Sequence, residues 1–209
     1  MTNKHFALIG FLSIVVFWST YFIMSLNRDD YSFLTKAISE LGSVDAPNKW
    51  LWNLFGYIIP GIFTSIFCYG LVKNLANYGR YKLPLVGLVL SGLLMSFSGA
   101  FPGDFDNKRS MTMLMHNVGS FGSYIFFLLG AFTIPSLLRK SNYWEKTVLA
   151  GQIMVWMTIA FGAWSFIVPG YPAVGQRLVF AFYFLWIALH SFKLYNDPHQ
   201  NNNFAQNKV

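Results

Sequence analysis

Charged residues are scarce in this sequence. Asp, Glu, Lys and Arg make up 11% of its 209 residues, whereas about 25% is usual in a soluble domain. Hydrophobic residues account for 55%, and the mean hydropathy is +0.43. Because a charge in hydrocarbon costs about 2.5–3.5 kcal/mol, this composition excludes an ordinary soluble domain. It favours a single domain embedded in lipid.

Cysteine is nearly absent as well. Cys68 is the single cysteine, and it lies within an apolar run. One cysteine excludes an intramolecular disulfide and a cysteine-based metal site, so we interpret Cys68 as a packing residue. The sequence also lacks a glycine-rich nucleotide loop, a serine-nucleophile elbow and a redox motif.

Long apolar runs fill most of what remains. A helix needs about 20 apolar residues to cross a hydrocarbon core about 30 Å thick. Six runs qualify or nearly qualify: 6–26, 50–71, 83–101, 113–138, 147–168 and 178–194. The last is expected to begin a few residues earlier. The sequence therefore predicts an all-α, polytopic membrane helix bundle, with six transmembrane helices in residues 1–195.

Basic residues are unevenly divided between the two sides of this bundle. Nine of the fifteen Lys and Arg residues fall on the side of both termini, and six of the eight acids fall on the other side. Cytoplasmic loops carry an excess of Lys and Arg, so we predict cytoplasmic termini in a bacterial inner membrane. The net charge of +7 is then a topology signal, and nucleic acid is not expected as a partner. Residues 196–209 are predicted to form a disordered cytoplasmic tail.

The first loop on the exofacial side, residues 27–49, has a pattern of its own. Its apolar residues recur at helical spacing: Phe33, Leu34, Ala37, Ile38 and Leu41. Asp30 or Ser32 is a candidate N-cap, and Gly42 is a candidate stop. We expect a short amphipathic helix on the exofacial surface of the bundle, with Glu40 beside its apolar stripe.

Polar side chains gather at the same exofacial end. His116, Ser120 and Ser123 share one face of the fourth span. Facing lipid would be costly for them, so this face should point into the bundle. The turn at 101–103 holds the next acid near the membrane edge. Five groups are thus predicted to lie at one depth, and we hypothesise that they also meet in the membrane plane: Glu40, Asn53, Asp104, His116 and Arg177.

Each of these groups also has a plainer structural interpretation. His116 is either a hydrogen-bonded packing residue or an acid/base group near neutral pH. Asp104 is either a turn cap or a site residue. Arg177 is either an interface anchor or a bidentate contact for a phosphate or carboxylate headgroup. Glu40 either pairs with Lys36, four residues earlier, or forms one wall of the site.

Four short motifs, taken in order, resemble a known family. They are AISELGS at 37–43, Asn53 in the next span, GAFPGD at 99–104 and His116 near the start of the following span. Over nearly the whole chain this pattern resembles the bacterial and archaeal six-helix membrane family catalogued as domain of unknown function 998. The resemblance implies an integral membrane protein with no established activity. It carries over the positions Ser39, Glu40, Gly42, Asn53, Pro102, Asp104 and His116.

We expect first a membrane protein that binds or handles a lipid headgroup or a small amphiphile, with membrane lipid as its partner. Its candidate ligand-binding residues are Ser39, Glu40, Asn53, Asp104, His116, Ser120 and Arg177. A small transporter is an alternative, against which the sequence shows no repeated halves and no acid at mid-membrane. The oligomeric state is left open.

A metal-dependent lipid hydrolase is the other alternative, and whether the chain is an enzyme is left open. Its candidate catalytic residues are Glu40, Asp104 and His116, and its candidate zinc ligands are Asp104 and His116. A set with a single His is a weak zinc site. A fainter similarity to the ceramidase and progestin-receptor-like membrane hydrolases also favours a hydrolase. The chain departs from them in having six spans and no late His-x-x-x-His pair.

Overall fold

The computed structural model describes residues 1–198, and that part of the chain is helical with no strand. Six longer helices follow one another: α1, Asn3–Leu26; α2, Lys49–Asn74; α3, Lys82–Ala100; α4, Met111–Leu138; α5, Val148–Gly162; and α6, Pro172–Tyr195. Shorter helical turns lie between them at Ile38–Gly42, Ala76–Tyr78, Asn142–Glu145 and Trp164–Ile167. The all-α, multi-pass bundle predicted from the apolar runs is confirmed.

Five of the six predicted spans correspond to helices that are long and apolar enough to cross a membrane. The span predicted at 147–168 differs, because α5 has only 15 residues and ends at Gly162. Glycine is a poor helix former, and the chain turns at Ala163 before the short helix Trp164–Ile167. The sixth span begins earlier than its apolar run, as expected, at Pro172.

Most of the predicted tail lies outside the described residues, which end at Pro198. Asp197 belongs to the described part and is 5% exposed. Its Oδ2 accepts hydrogen bonds from Asn74 Nδ2 at 2.8 Å and from Trp144 Nε1 at 3.2 Å. The chain therefore stays packed on the bundle for two residues beyond α6.

Three loops lie at one end of the bundle, which we call the loop-rich end: residues 27–48, 101–110 and 163–171. Val44 N donates to Gly103 O at 2.9 Å, and Ala173 N donates to Leu34 O at 3.3 Å. These backbone hydrogen bonds join the first loop both to the α3–α4 loop and to the start of α6. The first loop thus covers this end of the bundle.

The six helices are not packed equally closely against their neighbours. Helix α3 lies between α2 and α4, and α1 lies between α2 and α6. Helices α3 and α4 are in close contact, because Gly87 and Gly130 bring their backbones together. Helix α5 packs mainly on α6 and touches α4 much less. A gap is therefore left between α4 and the α5–α6 pair.

Helix α2 changes its winding near the loop-rich end. Residues Asn53–Ile58 form a π-helical segment in which Ile59 N donates to Leu54 O, five residues earlier. Pro60 follows and has no N–H, so the normal ladder cannot continue through this turn. The helix is therefore irregular just before Pro60, and Asn53 stands at the first position of the π segment.

The prediction of an amphipathic helix in the first loop is wrong about its length. Only Ile38–Gly42 is helical, as a 3-10 turn, although Gly42 does end it as expected. Ser32 Oγ accepts from Leu34 N and Thr35 N, both at 3.3 Å, and Lys36 N donates to Ser32 O at 3.0 Å. Ser32 thus caps a single turn that does not continue into Ile38–Gly42. Neither predicted cap caps Ile38–Gly42.

Candidate functional site

A cavity of about 420 Å³ lies inside the loop-rich end, in the gap between α4 and the α5–α6 pair. This volume falls within the range of small-molecule sites, about 300–1,000 Å³. Its polar lining comprises Ser39, Ser98, His116, Asn117, Ser120, Ser123, Ser165 and Gln176. Its remaining walls are chiefly aromatic and apolar, among them Tyr57, Phe121, Tyr124, Phe161, Phe180 and Tyr183.

The floor of the cavity is a hydrogen-bonded cluster between α3 and α4. Ser98 Oγ donates to His116 O at 3.2 Å and lies 2.7 Å from Ser120 Oγ. His116 is 4% exposed. The face formed by His116, Ser120 and Ser123 lines the cavity, so the prediction that this face points inward is confirmed.

The two nitrogens of His116 have different surroundings. Nδ1 lies 3.0 Å from Phe101 O and 3.1 Å from Ser98 O. Carbonyl oxygens only accept, so Nδ1 carries the hydrogen and donates to them. In the neutral ring, Nε2 is then an acceptor, and it has no hydrogen-bond partner within residues 1–198. His116 thus offers the cavity an acceptor held in a fixed direction.

Gln176 offers the complementary group from α6. Its Oε1 accepts from Ile38 N at 2.7 Å, which ties the 3-10 turn to the bundle. A backbone N–H only donates, so the amide must present its oxygen to Ile38. Its NH₂ group is left for the cavity. Gln176 was missed because it lies just before the apolar run, yet it shares a helical stripe with Val179, Phe180 and Tyr183.

The cavity opens sideways between α4 and α5. Phe121, on α4, lines the cavity and is 66% exposed. Gly162 and Ser165, at the end of α5 and just after it, are exposed on the opposite edge. Phe121 lies on the outward surface of α4, which is long and apolar enough to span a membrane, and Gly162 ends the shorter apolar helix α5. A bilayer would present acyl chains to these surfaces. The opening therefore faces the place that lipid would occupy.

A second cleft of about 770 Å³ lies at the opposite end of the bundle. It is lined by residues 79–84 together with Phe132, Thr133 and Ser136. This cleft is larger than the first cavity, but it is lined by nine residues, of which Arg80, Lys82 and Ser136 are exposed. We regard the first cavity as the candidate site, because it encloses buried polar groups with free hydrogen-bonding capacity.

Arg177 follows Gln176 but is directed elsewhere. Its Nε donates to Tyr21 OH at 2.7 Å, and its Nη2 donates to Tyr31 OH at 2.8 Å and Lys36 O at 3.0 Å. Nη1 donates to Ala173 O at 2.8 Å. The guanidinium thus clamps the first loop to α1 and α6, and it does not line the cavity.

Three other polar residues at this end serve the backbone of the loops. Glu40 Oε1 accepts from Ala37 N at 2.7 Å and so caps its own 3-10 turn. Asn53 Nδ2 donates to Gly42 O at 3.1 Å, which holds the end of that turn. Asp104 Oδ1 accepts from Asn107 N at 3.0 Å, within the α3–α4 loop.

Comparison with known proteins gives one match. Residues 11–193 match the family described as "Protein of unknown function (DUF998)". The chain belongs to this family. No curated protein and no solved structure matches it. Membership in DUF998 confirms the resemblance carried by the four short motifs, and the helices agree with a multi-pass membrane protein.

In this DUF998 chain, the five polar groups predicted to meet do not all line the cavity. Of the candidate ligand-binding residues, the cavity brings together Ser39, His116 and Ser120. The other four do not line it, because loop backbone and tyrosine hydroxyls engage them: Glu40, Asn53, Asp104 and Arg177. The alternative considered for Glu40, a pair with Lys36, is not formed either, since Lys36 Nζ binds Asp30 Oδ2 at 2.9 Å.

The zinc hypothesis gains no support from the geometry. No cluster of three His, Cys, Asp or Glu side chains able to hold a metal occurs within residues 1–198. Asp104 Oδ1 accepts from Asn107 N, and His116 has only Nε2 free, so the two candidate ligands are not directed at a common point by any contact in the described part of the chain. Zinc binding, hydrolysis and transport by this DUF998 chain stay predictions.

Proposed function

We propose that this protein binds a membrane amphiphile in the cavity at its loop-rich end. The amphiphile enters sideways, between α4 and α5, and places its polar group on the floor formed by His116 and Ser120. The observation that carries the proposal is an opening toward the lipid-facing surface that leads to buried polar groups with free hydrogen-bonding capacity. Phe121 lies at the point of entry.

The lining supports an amphiphile rather than a wholly polar solute. Aromatic side chains from α2, α4, α5 and α6 surround the space above the floor, including Tyr57, Tyr124, Phe161 and Phe180. Removal of an acyl chain from water is favourable by about 0.8 kcal/mol per CH₂, but a chain that is already in lipid gains little from this cavity. Selectivity must therefore come from the polar end, where the floor supplies hydrogen bonds that hydrocarbon cannot.

Blocking the floor tests the proposal. Ser120→Phe fills the cavity beside His116, so the purified protein should retain less lipid after exchange into a fresh detergent. The matched control is Ser136→Phe, the same change on the same helix at an exposed position in the second cleft. Mass spectrometry of extracted lipid gives the amount bound per protein. Equal retention by the wild type and Ser120→Phe would refute binding in this cavity.

A further inference from the structure

We infer that the polar group bound in this cavity is uncharged and donates a hydrogen bond, as a hydroxyl or amide does. The inference rests on the proposed function and narrows it to one chemical class of ligand. Neutral amphiphiles such as a monoacylglycerol or a long-chain alcohol belong to that class. Phospholipids and fatty acids do not.

The first argument is the absence of charge around the cavity. None of the residues that line it is Asp, Glu, Lys or Arg. A phosphate or carboxylate moved into such a site loses its hydration and meets no cation in exchange, which is strongly unfavourable. An uncharged group loses far less, and the serine hydroxyls on the floor can replace the hydrogen bonds that it made with water.

The charged side chains near the cavity either form hydrogen bonds with other groups or lie outside the cavity. The guanidinium of Arg177, the residue next to Gln176, gives hydrogen bonds to two tyrosine hydroxyls and two carbonyls. Lys108 and Arg109 are exposed on the α3–α4 loop and do not line the cavity. At the start of α4, the N–H of Met113 is already capped, because Ser110 Oγ accepts from it at 3.2 Å. An anion inside the cavity therefore finds no free cationic partner among these groups.

The second argument is the pairing of one acceptor with one donor. His116 Nε2 accepts, because Nδ1 already donates to Phe101 O and Ser98 O. The NH₂ group of Gln176 donates, because its oxygen is held by Ile38 N. A hydroxyl satisfies both kinds of group, since it donates one hydrogen bond and accepts others. A carboxylate or an ionised phosphate diester accepts only and leaves Nε2 of the neutral His116 ring unpaired.

Three ligands with the same oleoyl chain test the inference on the wild-type protein in detergent micelles. They are 1-monooleoylglycerol, its dimethyl ether, which accepts but cannot donate, and oleoyl lysophosphatidic acid, which is anionic. We expect monooleoylglycerol to bind about tenfold more tightly than either of the others in equilibrium competition. A tenfold change corresponds to about 1.4 kcal/mol, close to one hydrogen bond.

A variant then assigns the hydrogen bond to one atom. His116→Phe removes the acceptor, so the preference for monooleoylglycerol over its dimethyl ether should disappear. The matched control is His190→Phe. His190 is also buried, and its Nδ1 lies 2.9 Å from Trp186 O, but it does not line the cavity. The preference should survive in that variant.

The outcomes separate the two proposals. If lysophosphatidic acid binds as tightly as monooleoylglycerol, an uncharged ligand class is refuted while binding in the cavity stands. If the dimethyl ether binds as tightly as the parent, the need for a donor is refuted. If no ligand binds in a way that Ser120→Phe abolishes, the proposed function fails and this inference fails with it. The ligand comparison needs no variant, so it holds even if His116→Phe does not fold.

Discussion

Gly119 is the position at which α4 comes closest to the α3 backbone beside the cavity. A Cβ at this position would lie 2.6 Å from Ser98 N and 2.7 Å from Ser98 Cα. Ordinary contact begins near 3.4 Å, so Gly119→Ala requires the α3 backbone to withdraw by about 0.8 Å. The same shift lengthens the 2.7 Å contact between Ser98 Oγ and Ser120 Oγ to about 3.5 Å, where a hydrogen bond is lost.

We expect Gly119→Ala to lower the free energy of unfolding by about 2–4 kcal/mol. Overpacking of a tight contact costs about 1–3 kcal/mol. An interhelical hydrogen bond in a membrane contributes about 0.6 kcal/mol, and Ser98 Oγ makes two such contacts, with Ser120 Oγ and with His116 O. Titration with a denaturing detergent in mixed micelles measures the change.

Gly122→Ala is the matched control, because Gly122 lies on the same helix three residues later. A Cβ there would lie 3.0 Å from Leu94 Cδ1, the movable end of a side chain, and 3.8 Å from the next atoms. We expect its effect to stay within about 0.5 kcal/mol. Equal destabilisation by the two changes, or none by Gly119→Ala, would refute the idea that this contact fixes the floor of the cavity.

Three further predictions concern the first loop. Arg177→Lys should make this loop more sensitive to limited proteolysis, because one ammonium group cannot hold four acceptors spread over three segments. Glu40→Ala should destabilise the 3-10 turn by about 1 kcal/mol in unfolding titrations, whereas Glu40→Gln keeps the acceptor for Ala37 N and should be nearly neutral. Arg28 and then Lys36 hold the pKa of the Asp30 carboxyl well below its ordinary value of 3.8. Because folding lowers the pKa of Asp30, its ionised carboxylate stabilises the folded loop at pH values above 3.8, and this contribution is lost only as the pH falls below that value. Proteolysis of the loop should therefore be unchanged between pH 8 and 5.

The helices are well predicted because lipid solvation acts on whole runs of residues. Five of the six apolar runs correspond to helices long enough to span a membrane, and the run at 147–168 is the exception. The fifth run, 147–168, is as apolar as the others, but Gly162 and Ala163 end its helix early. The sixth helix was expected to begin before its apolar run, but the run did not mark Pro172 as the first residue, because polar Gln176 and Arg177 lower the apolar content of the first turns. Composition therefore predicts the number of runs better than the points where they end.

The site is less predictable, because its residues are selected by contacts a few ångströms long. The order of the spans gave the depth of each group, and the shared helical face of His116 and Ser120 was enough to direct them into the bundle. The order of the spans did not predict which way each side chain points within the membrane plane, and Asp104 illustrates the reason. Its carboxylate binds Asn107 N, three residues away, and that local choice depends on the conformation of the loop. Sequence spacing alone does not determine whether such an acid faces a loop or a cavity.

The short helix α5 has a consequence for the bilayer itself. Its 15 residues extend about 22 Å, which is less than the thickness of a typical hydrocarbon core, about 30 Å. A membrane accommodates such a mismatch by thinning beside the short element. Since α5 forms one edge of the opening, the leaflet there would sink toward Phe161 and Ser165. On the proposed function, a headgroup in that depression would have a shorter distance to travel into the cavity than one in a bilayer of full thickness.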